Sequence, residues 1–339
     1  MNSRHSLQLP ALLIAVALVS AAASCSTPRS GKKAAREHST VREVIFDTDW
    51  WTDVDDACAI RTLLWAEREG RVKVLGICLS AVRETSVPSL SSFLAYEGRK
   101  EVCLGADKEA VDYSGDPSYH QLLIDACPER EASSLDDVLD AVDFYRTLLS
   151  EAEGQVDIIT VGFTNCIARL LESGPDKWSP LRGEELVRRK VRHLWSMAGK
   201  YPEGKEYNFE KNERSRQAGA LICEKWPTPV TFLGHEIGLK VRLGGGLPQG
   251  DLLHEVLSVH GSASGRFAWD PMLTLIGCLG SVEEAGFEAV NGKVTLDPGT
   301  GANSFEPLED GPHQYVRMVR DSAWFAAQFG PILKEWPLP

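Results

Sequence analysis

The chain has 339 residues, with 48 Asp and Glu against 36 Lys and Arg and a formal net charge of −12. That acidic balance excludes nucleic-acid wrapping and adhesion to anionic membranes, both of which need a basic face. Eight cysteines occur without a CxxC pair, which disfavours zinc and dithiol redox chemistry; most read as small buried hydrophobes, with one disulfide left open.

Residues 1–25 read as a lipoprotein signal. Arg4 supplies the positive start, Leu9 through Ser20 the apolar run, and Ala22-Ala23-Ser24-Cys25 a lipobox. The apolar run is too short to be a stable membrane span. Ser26–Thr40 is polar and basic, as a flexible tether is. The expected location is therefore outside the cytoplasm, either anchored to a membrane only through lipid on Cys25 or periplasmic after ordinary cleavage. From Val41 onward about 300 residues remain (41–339), enough for one large domain with a sizeable core.

Apolar β-like runs then alternate with amphipathic helical ones. The pattern predicts strands at Val44–Asp47, Val72–Leu79, Glu101–Leu104, Val156–Val161, Val191–Ser196 and Pro229–Leu233. It predicts helices at Asp55–Glu69, Leu135–Ala152, Asn165–Glu172, Asn212–Lys225, Asp251–Val259, Pro271–Leu279 and Val316–Leu333. Nearly continuous apolar strands suit a parallel sheet buried on both faces. The fold class is thus α/β, an open and mostly parallel sheet flanked by helices. A late β-hairpin is predicted with Asn291-Gly292 as its turn, between Phe287–Val290 and Lys293–Leu296.

The first strand runs into the densest chemistry of the chain. Asp47, Asp49, Asp53, Asp55 and Asp56 fall within ten residues, with no Lys or Arg between them. Capping of the next helix explains one or two of these, not five. So many like charges at the carboxyl end of a strand call for a cation, and an all-oxygen set favours Ca²⁺ or Mg²⁺ over zinc.

This loop and three later segments together resemble the calcium-dependent nucleoside hydrolase family. Asp47-Thr48-Asp49 and Asp55-Asp56-Ala57 resemble its opening, with a loop two residues longer that is similar to a divergent branch. Gly162-Phe163-Thr164-Asn165 resembles a Gly-x-Leu-Thr-Asn turn, Glu206-Tyr207-Asn208-Phe209 a Glu-Phe-Asn segment, and Trp269-Asp270-Pro271 a His-Asp-x segment. The resemblance spans Asp47 to Asp270 in family order. It implies a nucleoside hydrolase-like fold and cleavage of an N-glycosidic bond of a nucleoside or related glycoside. It implies Ca²⁺ held by Asp49, Asp56, Asp270 and the Thr164 carbonyl. Asp49 would be the general base on the attacking water, while Asp55, Glu206, Asn208 and Trp269 would contact the substrate.

The chemistry agrees with these residue types. Glycosidic cleavage passes through an oxocarbenium-like state, which anionic groups beside the sugar stabilise. The chain also departs from the family. Leu79-Ser80-Ala81-Val82-Arg83 and Gly199-Lys200 stand where Gly-Asn pairs usually do, and Trp269 replaces a histidine that assists the departing base in some members. Arg83 and Lys200 hint at an anionic substrate group. Trp50 and Trp51 are candidates for stacking on substrate or for closing the core. His235, His120 and Tyr119 sit in loops within reach of a pocket, and Asp53 is an outer-shell group or a solvated acid. Two other classes stay open: an exported nucleoside- or sugar-binding lipoprotein without turnover, and a haloacid-dehalogenase-like phosphohydrolase suggested by Asp47-x-Asp49. The partner in the leading reading is a small glycoside; assembly into a homo-oligomer is open.

Overall fold

The computed structural model describes residues 41–334; the signal segment, Cys25 and the tether lie outside the described residues. The strands are β1 Arg42–Thr48, β2 Val72–Leu79, β3 Cys103–Ala106, β4 Leu139–Asp140, β5 Val156–Thr160, β6 Val191–Met197, β7 Glu203–Lys205, β8 Val230–Leu233, β9 Arg242–Leu243, β10 Arg266–Phe267, β11 Phe287–Leu296, β12 Ala302–Pro307 and β13 His313–Met318. Eleven form one sheet in the order β4-β3-β2-β1-β5-β6-β8-β13-β11-β12-β7. From β4 to β13 every pairing is parallel, and the remaining three ladders are antiparallel.

β1 lies in the middle of the parallel part, paired on one side with β2 and on the other with β5. Its apolar residues Val44, Ile45 and Phe46 are fully buried, because helices cover both faces of the sheet. The carboxyl ends of β1, β5, β6 and β8 therefore share one edge, where ligands bind in open α/β sheets.

Several predicted elements take a different form. Asn291-Gly292 makes no turn: it lies inside the continuous β11, pairing with Gln314 and His313 of β13. The β11–β12 hairpin turns at Asp297–Gly301 instead, where the Asp297 carboxylate accepts from Gly299 N (2.8 Å) and Thr300 Oγ1 (2.7 Å) and Gly301 takes φ 72°. That Asp-Pro-Gly-Thr-Gly stretch has stronger turn chemistry than Asn-Gly. The helix predicted over Leu135–Ala152 is cut by two caps. Ser134 starts a single 3₁₀ turn, the chain pairs briefly as β4, and Asp140 caps a helix at Ala141–Glu151. Val316–Met318 completes β13, so the last helix begins only at Ser322. The strand expected at Glu101–Leu104 lies at Cys103–Ala106, and two further helices form at Ser86–Tyr96, largely buried, and at Gly183–Lys190, which buries only Gly183, Leu186 and Val187. All seven described cysteines are free thiols, five of them buried.

Candidate active site

A cavity of about 340 Å³ opens at the carboxyl edge of the sheet. Asp49, Asp55, Asp56 and Asp270 line it, together with Glu206, Asn208 and Trp269. Seven of the eight residues expected at the site are thus brought together. Thr164 is the exception: it is fully buried just before the helix Asn165–Glu172 and is not among the lining residues. Val161, the residue after β5, lines the cavity.

The acidic loop is held in shape by its own polar groups. Thr48 Oγ1 donates to an Asp56 carboxylate oxygen, and the Trp50 N–H approaches both Thr48 Oγ1 (3.1 Å) and Asp56 Oδ1 (3.3 Å). Trp50 adopts φ 42°, a left-handed conformation rare for a bulky residue and frequent at functional sites. The turn after β5 presses against this loop: a Cβ at Gly162 would run into the Asp49 amide and Ser80 Oγ. Close backbone approach thus accounts for that glycine.

Asp270 arrives from far along the chain on the helix Trp269–Leu279, which packs along the helix Asp55–Arg68. Gly277 lets this helix lie close on the sheet, since a Cβ there would meet Ile159 of β5 and the Trp195 ring of β6. The Asp270 N–H donates to Asp55 Oδ2 at 3.1 Å across 215 residues of sequence. One oxygen each from Asp55, Asp56 and Asp270 lies within 4.8 Å of the others. Asp49 lines the same cavity outside that trio, whereas the family resemblance places Asp49 on the metal and Asp55 on the sugar.

Burial pushes the Asp56 carboxyl up to about 7, against the opposing Thr48 hydrogen bond. Burial and neighbouring carboxylates hold Asp49, Asp55 and Asp270 well above the ordinary range. Asp53 behaves oppositely: burial raises it, but the bonds from Arg266 (2.5 and 2.8 Å) outweigh this and leave it low. Arg266 therefore spends its fork on Asp53 rather than on the trio. A buried, all-oxygen cluster short of positive charge is the donor set a hard divalent cation takes, so the residues fit one.

Glu206 and Asn208 add two more acceptors to the cavity lining. Burial raises Glu206 to about 7, while both its oxygens accept main-chain N–H groups, from Asn208 (2.8 Å) and Gly199 (2.9 Å). Asn208 Nδ2 donates to the carbonyls of Val161 and Met197, both at 2.9 Å. Its side-chain oxygen accepts no bond among the described residues, so it is available to a hydroxyl donor.

The aromatic candidates divide. Trp50 is core: fully buried, bonded to Ser89 Oγ (3.0 Å) and packed on Phe93 and Tyr119. Trp51 lines the cavity, its N–H fixed to the Gly115 carbonyl (2.8 Å) and its ring beside Tyr207. His120 is buried against Trp50 and lines no part of this cavity, whereas His235 does. Arg83 pairs with Asp116 outside it. Arg266, His260 and Val161 join the wall unannounced by the sequence, because no local pattern links them to the acidic loop.

No family model matches the chain, and no curated protein matches it. Solved structures do. A plant nucleoside hydrolase, PpNRh1, superposes with TM-score 0.65 at 15% identity, covering 86% of this chain and 99% of that one. A purine-preferring ribonucleoside hydrolase from Gardnerella vaginalis gives 0.65 at 18%, covering 86% and 98%. An inosine-uridine preferring nucleoside hydrolase from Bacillus anthracis gives 0.61 at 16%, covering 87% and 100%. The class these likenesses define is one of fold: the chain has the nucleoside hydrolase fold over nearly the full length of those enzymes. At such identities the activity of this particular protein rests on its own side chains.

Proposed function

We propose that this chain is a calcium-dependent hydrolase that cleaves the N-glycosidic bond of a nucleoside or related glycoside. The observation that carries the reading is the buried carboxylate cluster, drawn from two distant segments into one cavity that Glu206 and Asn208 also line. Asp55, Asp56 and Asp270 would hold the cation, with Asp49 beside them. A calcium ion in their hold would supply an orienting charge for water and sugar hydroxyls and Lewis acidity. Asp49 takes the proton of the attacking water as general base. Glu206 and Asn208 accept hydrogen bonds from sugar hydroxyls, and the surrounding negative charge favours the oxocarbenium-like state.

The test uses 4-nitrophenyl riboside, whose leaving group departs without protonation. Turnover that a chelator removes and Ca²⁺ restores supports the reading. Binding of ribosides with no turnover in calcium favours the non-catalytic alternative. We further propose export with lipid on Cys25. Cys25→Ala then moves the protein from the membrane to the soluble fraction; a wild type already soluble and cleaved elsewhere defeats that part.

A further inference from the structure

We propose that the His235 imidazole protonates the departing group, standing in for the acid that Trp269 displaces; the proposal rests on the hydrolase reading of this cavity. His235 opens the short helix His235–Gly238 directly after β8, its N–H bonded to the Gly199 carbonyl at 2.8 Å. Its ring lies against the Trp269 indole, centroids 5.5 Å apart and planes 21° from parallel, and both rings line the cavity.

Trp269 itself cannot be the donor. Its indole N–H, the side chain's only donor, is spent on the His235 carbonyl at 2.8 Å. Gly238 locks the arrangement, since any Cβ there would run into the indole. Trp269 therefore acts as a plate that fixes the imidazole. Among the described residues no group hydrogen-bonds to either ring nitrogen of His235, which lines the cavity. The other histidine on the wall, His260, has its Nδ1 engaged by Ser262 Oγ at 2.9 Å. Partial burial, assisted by Lys200, holds the His235 pKa below its ordinary value. A smaller share is then protonated at neutral pH, but that share is the stronger acid.

The step balances. The C1′–N bond breaks and its electron pair stays on the base nitrogen, which takes the proton from His235. Water adds hydroxide to C1′ and gives its proton to Asp49. Solvent returns that proton to the imidazole, leaving free base and free sugar.

The experiment compares wild type, His235→Ala and His235→Gln in saturating Ca²⁺ on inosine, uridine and 4-nitrophenyl riboside. In both variants kcat on a nucleoside falls by about 100-fold or more, while 4-nitrophenyl riboside loses less than about threefold. Added imidazole recovers nucleoside turnover in His235→Ala. Calcium-dependent melting verifies that each variant is folded, and His235→Gln, closer to histidine in size and polarity but unable to protonate a leaving group, serves should the alanine variant collapse. Equal losses on both substrate kinds, or no loss on nucleosides, overturn the assignment. So does a wild type that cleaves 4-nitrophenyl riboside and no nucleoside. A wild type inert toward 4-nitrophenyl riboside in calcium instead fails the hydrolase reading itself.

Discussion

One helix, Asp55–Arg68, carries two buried charge clusters less than two turns apart, built in opposite ways. At its start, Asp55 and Asp56 meet Asp270 with like charge facing like charge. Farther along, buried Arg61 clamps Asp251 at 2.6 and 2.7 Å and Glu97 at 2.7 and 3.1 Å, with the Leu333 carbonyl at 3.0 Å. The second cluster pairs its charges within the protein and ties the helix to three other parts of the chain. The first cannot close without something from outside. Buried charge that is paired builds structure, whereas buried charge of one sign marks a place kept for a ligand.

The strongest way to break that comparison is Asp270→Ala. It should abolish Ca²⁺ binding by calorimetry and lower turnover at least about 10³-fold, roughly 4 kcal/mol of barrier, while the protein stays folded. Retained calcium affinity would mean the trio is not the metal site. Arg61→Ala should do the reverse. It strands two buried carboxylates and costs about 3–5 kcal/mol in a denaturant titration. Calcium affinity of the folded fraction should not move, and a change there would show that the two clusters are coupled.

The smallest effect sharpens the contrast. Calcium at a hundredfold excess over its dissociation constant should stabilise the protein by about 2.7 kcal/mol, reversibly with chelator. Without metal, the folded protein keeps a proton on Asp56 up to about pH 7, and burial likewise raises Asp49, Asp55 and Asp270 well above the 3.8 near which the unfolded chain releases its protons. The unfolded state then binds fewer protons, so stability is greatest in acid and falls as pH rises through 4 to 7 and beyond. Glu97, pushed up to about 7 by burial against Arg61, adds to the same slope. Calcium should flatten the share due to the trio and leave the Glu97 share. A metal-free melting temperature that climbs across this window would contradict the assigned burial of these groups.

Much of this was legible before any coordinates, and the reason is locality. The run Val44–Phe46 followed by acids, and the helical spacing from Asp55, are written in consecutive residues, so periodicity and caps reveal them. The fold class and the meeting of Asp49, Asp56, Asp270, Glu206 and Asn208 were expected from motif order. Asn291-Gly292 misled because a two-residue turn signal was outweighed by pairing with β13 and by the stronger turn at Asp297–Gly301.

What tertiary structure alone decided is which neighbours a side chain acquires across the chain. Trp50 and Trp51 are identical residues one position apart, yet one is sealed against Phe93 and the other walls the cavity, because the left-handed turn at Trp50 sends them to opposite sides. Asp53 read as solvated or outer-shell until Arg266, 213 residues later, was seen to hold it. His235 carries no local sign of its place; only the packing of the helix from Trp269 beside the end of β8 sets its ring on the indole. Sequence determines backbone periodicity through short-range sterics and hydrophobic spacing. Pairings of this kind depend on how layers stack, to which no short window of residues has access.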